Sequence, residues 1–331
     1  MNSNDPSITW RPSSELAILR QRAELLARIR AFFSAREVLE VETPVLSQAG
    51  NPDVYIESFT SRVMTPQGEQ TLYLQTSPEF HMKRLLAAGS GAIYQVCKSF
   101  RLEEQGRLHN PEFTMLEWYR PGFDHHQLMQ EIEDLLVFLG VLVSDAKISK
   151  ASYQSLFEQY VGLNPHDCSR EELVLCIDRH AIPIESSHID SLNKDDVLSL
   201  LLTHIIEPAI SHEGFMFVYD YPASQASLAL LSDDPIAVAQ RFELYADGVE
   251  LANGFQELTD AHEQARRFEQ EKQQRVKRHQ TYIDIDQRLI EALKSGLPDC
   301  AGVALGFDRL VMYMTKSQSL QEVMAFPFNR A

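Results

Sequence analysis

The feature that most constrains this chain is a pair of β-like runs, AIYQVCKSF (92–100) and EFTMLEWY (112–119), joined by RLEEQGRLHNP. Apolar and aromatic runs flanking a polar connection predict an antiparallel hairpin with a long charged loop. Strand alternation then places Phe113, Glu117 and Tyr119 on one face. Such a face suits stacking of a planar base and retention of an ammonium, while Arg101, Arg107 and His109 stand where phosphate oxygens would be met. A solvent-facing hairpin with a charged tip is the competing reading of this segment alone.

A chain of 331 residues holds two domains or one large catalytic domain. Hydrophobic content of 44% and charged content of 23% exclude disordered, collagenous and coiled-coil classes. Lys+Arg 30 against Asp+Glu 47 gives a net charge of -17, which disfavours a sequence-independent grip on nucleic acid. The longest apolar stretch, 135–143, is far short of the ~20 residues of a membrane span. The first residues lack the pattern of a secretory signal, so a cytoplasmic protein is expected. Cys97, Cys168, Cys176 and Cys300 form no CxxC pair, and reduced thiols are expected rather than a structural metal.

A helix is expected from Ser14 to about Arg36, capped by Ser13 or Ser14, with Leu16, Leu19, Ala23, Leu26, Ile29 and Phe33 as its apolar stripe. Period-two alternation over VLEVET predicts a strand closed by Pro44. Asp124 and Gln127 form a capping box for a helix reaching Leu139, and residues 145–212 read as a helical insertion with starts at Ser169 and Asn193. The charged stretch 261–280 reads as a solvated helix.

Two more clusters bear on chemistry. Glu250 and Glu257 flank Asn253-Gly254, either as charged ends of a tight turn or as a magnesium and substrate site. The second alternative requires a bulge near Gly254, because residues seven apart otherwise face opposite sides of a strand. In GVALGFDRL, Gly302, Ala304 and Gly306 precede Asp308, Arg309 and a helix-like run, so a ligand can approach the backbone closely and Arg309 can clamp a phosphate; ordinary strand-helix packing explains the pattern equally well. The usual nucleotide fingerprints GxGxxG and GxxxxGK[ST] are absent.

In order and spacing, the helix-strand-proline unit (14–46), the FRLEE…RLHNPEF hairpin (92–120) and GFDR (within 300–316) resemble the three motifs of class II aminoacyl-tRNA synthetases. TSPEFHMKRLL, NPEFTMLEWY, ELANGFQELTDA and GVALGFDRL resemble the lysyl-tRNA synthetase core within that class. The resemblance implies an α+β fold, a mainly antiparallel sheet flanked by helices with a small helical insertion, as one catalytic domain over 1–331. Only 13 residues precede Ser14 and 22 follow Arg309, so no anticodon-binding domain is expected. With PASQASLA at 222–229, this is similar to the elongation factor P lysine ligases, which join (R)-β-lysine to a protein lysine through an aminoacyl-adenylate.

By matching motifs, the resemblance implies that Ser77, Pro78 and Glu79 border the amino-acid pocket and that Tyr119 and Glu257 receive the side-chain ammonium. Ala304 stands where the synthetase pattern GLGIGIDR has glycine, and its methyl is expected to favour an isomer with a displaced amine. The resemblance further implies that Arg101 and Arg309 are the catalytic arginines. It also implies that Arg101, Leu102, Glu103, Asn110, Phe113, Glu250, Leu251, Gly306 and Arg309 hold ATP, with Glu250 and Glu257 on Mg2+. Elongation factor P, a lysine isomer and a second copy of the chain are the expected partners. A minimal lysyl-tRNA synthetase and a non-catalytic lysine- or ATP-binding regulator are the alternatives.

Overall fold

The computed structural model describes residues 10–66, 68–102, 105–143 and 147–331. Its strands are β1 (Leu39–Glu40), β2 (Leu46–Ser47), β3 (Thr60–Thr65), β4 (Gly68–Leu74), β5 (Ile93–Phe100), β6 (Glu112–Pro121), β7 (Ser149–Ser152), β8 (Phe215–Pro222), β9 (Val238–Ala246), β10 (Val249–Gln256) and β11 (Cys300–Gly306). Eight form one sheet in the order β1-β5-β6-β11-β10-β9-β8-β7, antiparallel except for the outermost pairs β1–β5 and β7–β8. The other three form a small sheet, β2-β4-β3. This is the α+β arrangement expected, and the two runs of the hairpin pair as β5 and β6 from Ile93↔Tyr119 to Phe100↔Glu112.

Helices α1 (Leu16–Ser34), α2 (Glu79–Ala87) and α3 (His125–Phe138) lie in the first half of the chain. α4 (Tyr153–Tyr160), α5 (Arg170–Arg179), α6 (Ser186–Ile189), α7 (Lys194–Leu201) and α8 (Glu207–Ile210) follow. α9 (Ala261–Lys277), α10 (Gln287–Gly296) and α11 (Phe307–Thr315) complete the set. One face of the large sheet, bearing Leu116, Trp118, Leu244, Val303 and Leu305, is sealed by apolar residues of α1, α3 and α11. Each large side chain so buried contributes about 1.5–3 kcal/mol. That leaves the opposite face for the site.

Several local expectations change. Neither Ser13 nor Ser14 caps α1; Glu15 occupies the cap position without a side-chain bond, and the Ser14 hydroxyl turns to the Glu15 carbonyl. The buried stripe is Leu25, Ile29, Phe32 and Phe33, whereas Leu16 is exposed, because the sheet meets a face rotated from the predicted one. The segment 145–212 is not purely helical: β7 pairs in parallel with β8, and α4, α5 and α7 pack on the far end of the large sheet. The capping boxes at Asp124, Ser169 and Asn193 all form. Among the described residues no helix is long and apolar enough to cross a membrane.

Candidate active site

A cavity of about 440 Å³ opens on the free face of the sheet, lined by β6, β9, β10, β11, the start of α2 and the loop at 51–56. Register explains why its residues converge. Tyr119, Glu117 and Met115 on β6 stand opposite Gly302, Ala304 and Gly306 on β11, and Ala304 and Gly302 stand opposite Asn253 and Phe255 on β10. Cross-strand partners share a face, so three strands project alternate residues into one space.

The required bulge exists, but at Leu251 rather than near Gly254: Glu250 pairs with Tyr245 and Ala252 with Leu244, leaving Leu251 as the extra residue. This slip brings Glu250 onto the face of Asn253, Phe255 and Glu257. Asn253-Gly254 is strand interior. The tight turn lies earlier, at Asp247-Gly248, where φ of 49 and 76 suits a two-residue hairpin.

One end of the cavity is a buried polar cluster. The Tyr119 hydroxyl donates to Glu117 Oε1 at 2.7 Å and the Ser77 hydroxyl to Glu117 Oε2 at 2.8 Å. Burial and the neighbouring Glu79 charge push the Glu117 carboxyl up to about 8. Lys83, which the sequence left unassigned, donates to Glu79 Oε1 at 2.7 Å and Glu257 Oε2 at 2.6 Å, with only 1% of its side chain exposed. Burial raises the Glu257 carboxyl to about 7 even beside this lysine. Gly302 makes room for the cluster, since a Cβ there would collide with the Tyr119 ring and Glu257 Oε1. This end suits a ligand with ammonium groups.

The other end carries guanidinium groups and an aromatic plane. Arg101 lies 5.2 Å from the Phe113 ring centroid. Arg309 donates to the Glu250 carbonyl at 2.6 Å, approaches Glu250 Oε2 at 3.9 Å, and stands 3.0 Å from His109 Nε2. Leu251 and Gly306 line the same space. A ring to stack on, two arginines and a carboxylate suit a nucleotide polyphosphate.

Other expected residues fall elsewhere. Among the described residues, Pro78 and Leu102 do not line the cavity: Pro78 is buried at the cap of α2, and Leu102 is tied by its N–H to the Glu57 carbonyl. Asn110 lines it, yet its amide donates to the Glu112 carbonyl at 2.6 Å and accepts from the Phe328 N–H at 3.0 Å, which makes it a loop brace. Arg107 lies outside the lining and donates to the Gln318 carbonyl. Glu103 falls outside the described residues. Glu257, expected with Glu250 on the metal, is bonded by Lys83 at 2.6 Å, and the carboxylate whose charge acts most on Glu250 is Glu243. Glu243 is in turn held by Arg241 and by the Tyr245 hydroxyl.

The sequence model of class II tRNA synthetases (D, K and N) matches residues 3–330. The chain belongs to this family. It is 50% identical over 327 residues to an elongation factor P–(R)-β-lysine ligase of Yersinia enterocolitica, covering 98% of both chains. A protein of the same name from Mannheimia succiniciproducens is 48% identical over 324 residues, 97% of this chain and 98% of the relative. One from Salmonella gallinarum is 49% identical over 329 residues, 98% of both. In this member of the class II synthetase family the third motif is also a structural clamp: Asp308 accepts from the Thr114 N–H at 2.6 Å and pairs with Arg22 of α1 at 2.5 Å, fixing Arg309 between sheet and helix.

Proposed function

We propose that the protein activates a lysine isomer, (R)-β-lysine or lysine, with ATP and transfers it to the ε-amine of a lysine on elongation factor P. The observation that carries this is a single cavity with an ammonium-binding end at Glu79, Glu117, Tyr119 and Glu257 and a polyphosphate-binding end at Arg101, Phe113 and Arg309. Between them lies room for one carboxylate to meet one α-phosphate. The near end-to-end similarity to ligases of that name selects the acceptor.

ATP is consumed as a substrate. The substrate carboxylate oxygen attacks the α-phosphorus, pyrophosphate leaves with the bonding electron pair, and an aminoacyl-adenylate remains. No enzyme nucleophile is required. Arg101 and Arg309 neutralise charge that grows on phosphate oxygens, and Glu79, Glu117 and Glu257 fix the amino acid by its ammoniums, so the two reactants meet already oriented. Glu250, with the Glu243 charge near it, would hold a Mg2+ ion. The ion would offset phosphate charge. Among the described residues no group of three or more His, Cys, Asp or Glu is arranged to hold a metal alone.

A homodimer belongs to the same proposal: β1 is an edge strand of the large sheet, and Leu39 on it and Val45 and Leu46 after it are exposed. Sedimentation at micromolar concentration checks it. For the activity, purified protein receives ATP, Mg2+ and labelled lysine isomers with elongation factor P and lysine tRNA together. Label is expected on the protein acceptor, whereas label on the RNA would establish a compact synthetase instead. Arg101→Ala is expected to abolish amino-acid-dependent pyrophosphate exchange while keeping the fold; normal exchange by that variant would refute the assignment.

A further inference from the structure

A second cavity of about 340 Å³ lies between α9 and the segment 223–231. It shares Asn51, Asp53, Ser227 and Leu228 with the active-site cavity, so the two spaces meet there. Its walls are of two kinds. Ala226, Leu228, Leu231 and Phe268 give an apolar side, and Gln264, Glu271 and Asp53 give a polar one. The other charged groups neutralise one another: Glu263 is bonded by both Arg266 and Arg267, and Arg267 also donates to the Ser227 and Ala229 carbonyls. Among the described residues, Glu271, which accepts from the Val54 N–H, and Asp53 remain as the carboxylates of this cavity without a side-chain cation bonded to them.

Gln264 is the observation that points to a ligand. Its side chain is 1% exposed and lines this cavity, yet neither its amide oxygen nor its amide nitrogen has a hydrogen-bond partner among the described residues. A buried amide left unpaired is costly, and native proteins retain few such groups. Burial and the Asp53 charge raise the Glu271 carboxyl to about 7. Arg275, fully buried, donates to the Asp53 carbonyl at 2.8 Å and pairs with Glu57, which holds the shared wall against α9.

We infer that this cavity is the channel by which the acceptor lysine reaches the activated carbonyl, its methylene stem against Leu228, Leu231 and Phe268 and its polar groups at Gln264 and Glu271. The inference rests on the proposed function and names the acceptor's route. A lysine stem needs an apolar wall, and its ammonium needs a carboxylate until it sheds a proton. With ATP filling the end at Arg101 and Arg309, the opening at Asp53 and Ser227 is on the amino-acid side. In transfer, the ammonium first loses a proton to Glu271. The neutral amine nitrogen then bonds to the carbonyl carbon, the bond from that carbon to the phosphate oxygen breaks, and AMP leaves with its electron pair while the second proton passes to water.

The test separates activation from transfer in the full-length protein with two variants, Gln264→Met and Glu271→Gln. Pyrophosphate exchange and interception of the adenylate by hydroxylamine, which needs no channel, are expected within twofold of wild type. The kcat/KM for elongation factor P is expected to fall at least tenfold in both. Gln264→Met is expected to keep or raise the Tm, because it removes an unpaired buried amide. Transfer at the wild-type rate by both variants overturns the channel alone. Exchange lost in step with transfer, or a lowered Tm for Gln264→Met, also overturns it, by placing the residues in activation or in the core. Absence of label on elongation factor P with wild type overturns the proposed function and the channel with it.

Discussion

Lys83 Nζ stands 2.6 Å from Glu257 Oε2, joining α2 to the residue that follows β10. The same nitrogen holds Glu79, so one buried ammonium aligns two of the carboxylates assigned to the substrate. The carboxylates hold the lysine pKa above its ordinary value against the opposing effect of burial. Removing one member of a buried ion pair leaves uncompensated charge, at about 3–5 kcal/mol. Lys83→Met is therefore expected to lower the unfolding free energy by that amount and to raise the KM for the lysine isomer. Urea denaturation beside pyrophosphate exchange checks both, and unchanged stability would mean the pair is not coupled as described.

Glycine at 302 is the sterically demanded choice, since Tyr119 and Glu257 occupy the space a Cβ would take. Gly302→Ala must displace the phenol or the carboxylate. A displacement of about 1 Å at a reacting site costs on the order of 100-fold in rate. The expected result is a loss of that size in lysine-dependent exchange kcat/KM, with the protein still folded by circular dichroism; exchange within threefold of wild type contradicts the geometry.

What the sequence disclosed follows from the range of each interaction. Phe113, Glu117 and Tyr119 were legible because strand alternation is local, and the structure keeps them on one face with Gly302 and Ala304. The bulge was legible as a necessity but not as a position. Two turn signals compete in ADGVELANG, and only pairing of β9 with β10 decides for Asp247-Gly248. The Glu79–Lys83 spacing of four was a visible helix pair, whereas Glu257 lies 174 residues further on and joins through tertiary packing alone. Glu243 was missed for the same reason: it shares the face of Glu250 through the pairing of Glu250 with Tyr245, which only the fold establishes.

The raised Glu117 carboxyl gives stability a pH dependence of known sign. Its folded value of about 8 exceeds the ordinary 4.5, so between those limits the native state holds a proton that the unfolded chain has lost. Stability from this group is fully present below about 4.5 and is lost as pH rises toward 8. Glutamine imitates the protonated form, so the unfolding free energy of wild type minus that of Glu117→Gln is expected to fall across pH 5–8 by up to about 1.4 kcal/mol per unit. Denaturant titrations at four pH values measure it. A rising or flat difference would mean the carboxyl is ionised in its buried site.

On the proposed function, the Ala304 methyl bears on isomer choice. Ala304 lies between Glu117 on β6 and Asn253 on β10, and it lines the cavity at the edge of the ammonium-binding cluster. A single methylene-sized change in a pocket discriminates by about 1–3 kcal/mol, or about 10–200-fold. With glycine at 304 the space opens where an α-amine would sit. Ala304→Gly is expected to raise the exchange kcat/KM for α-lysine relative to (R)-β-lysine by about tenfold or more, with little change in the KM for ATP. Exchange assays with each isomer, run at fixed ATP, give the ratio directly. A ratio unchanged from wild type would place isomer choice elsewhere in the cluster, with Ser77 and Glu79 the next positions to vary.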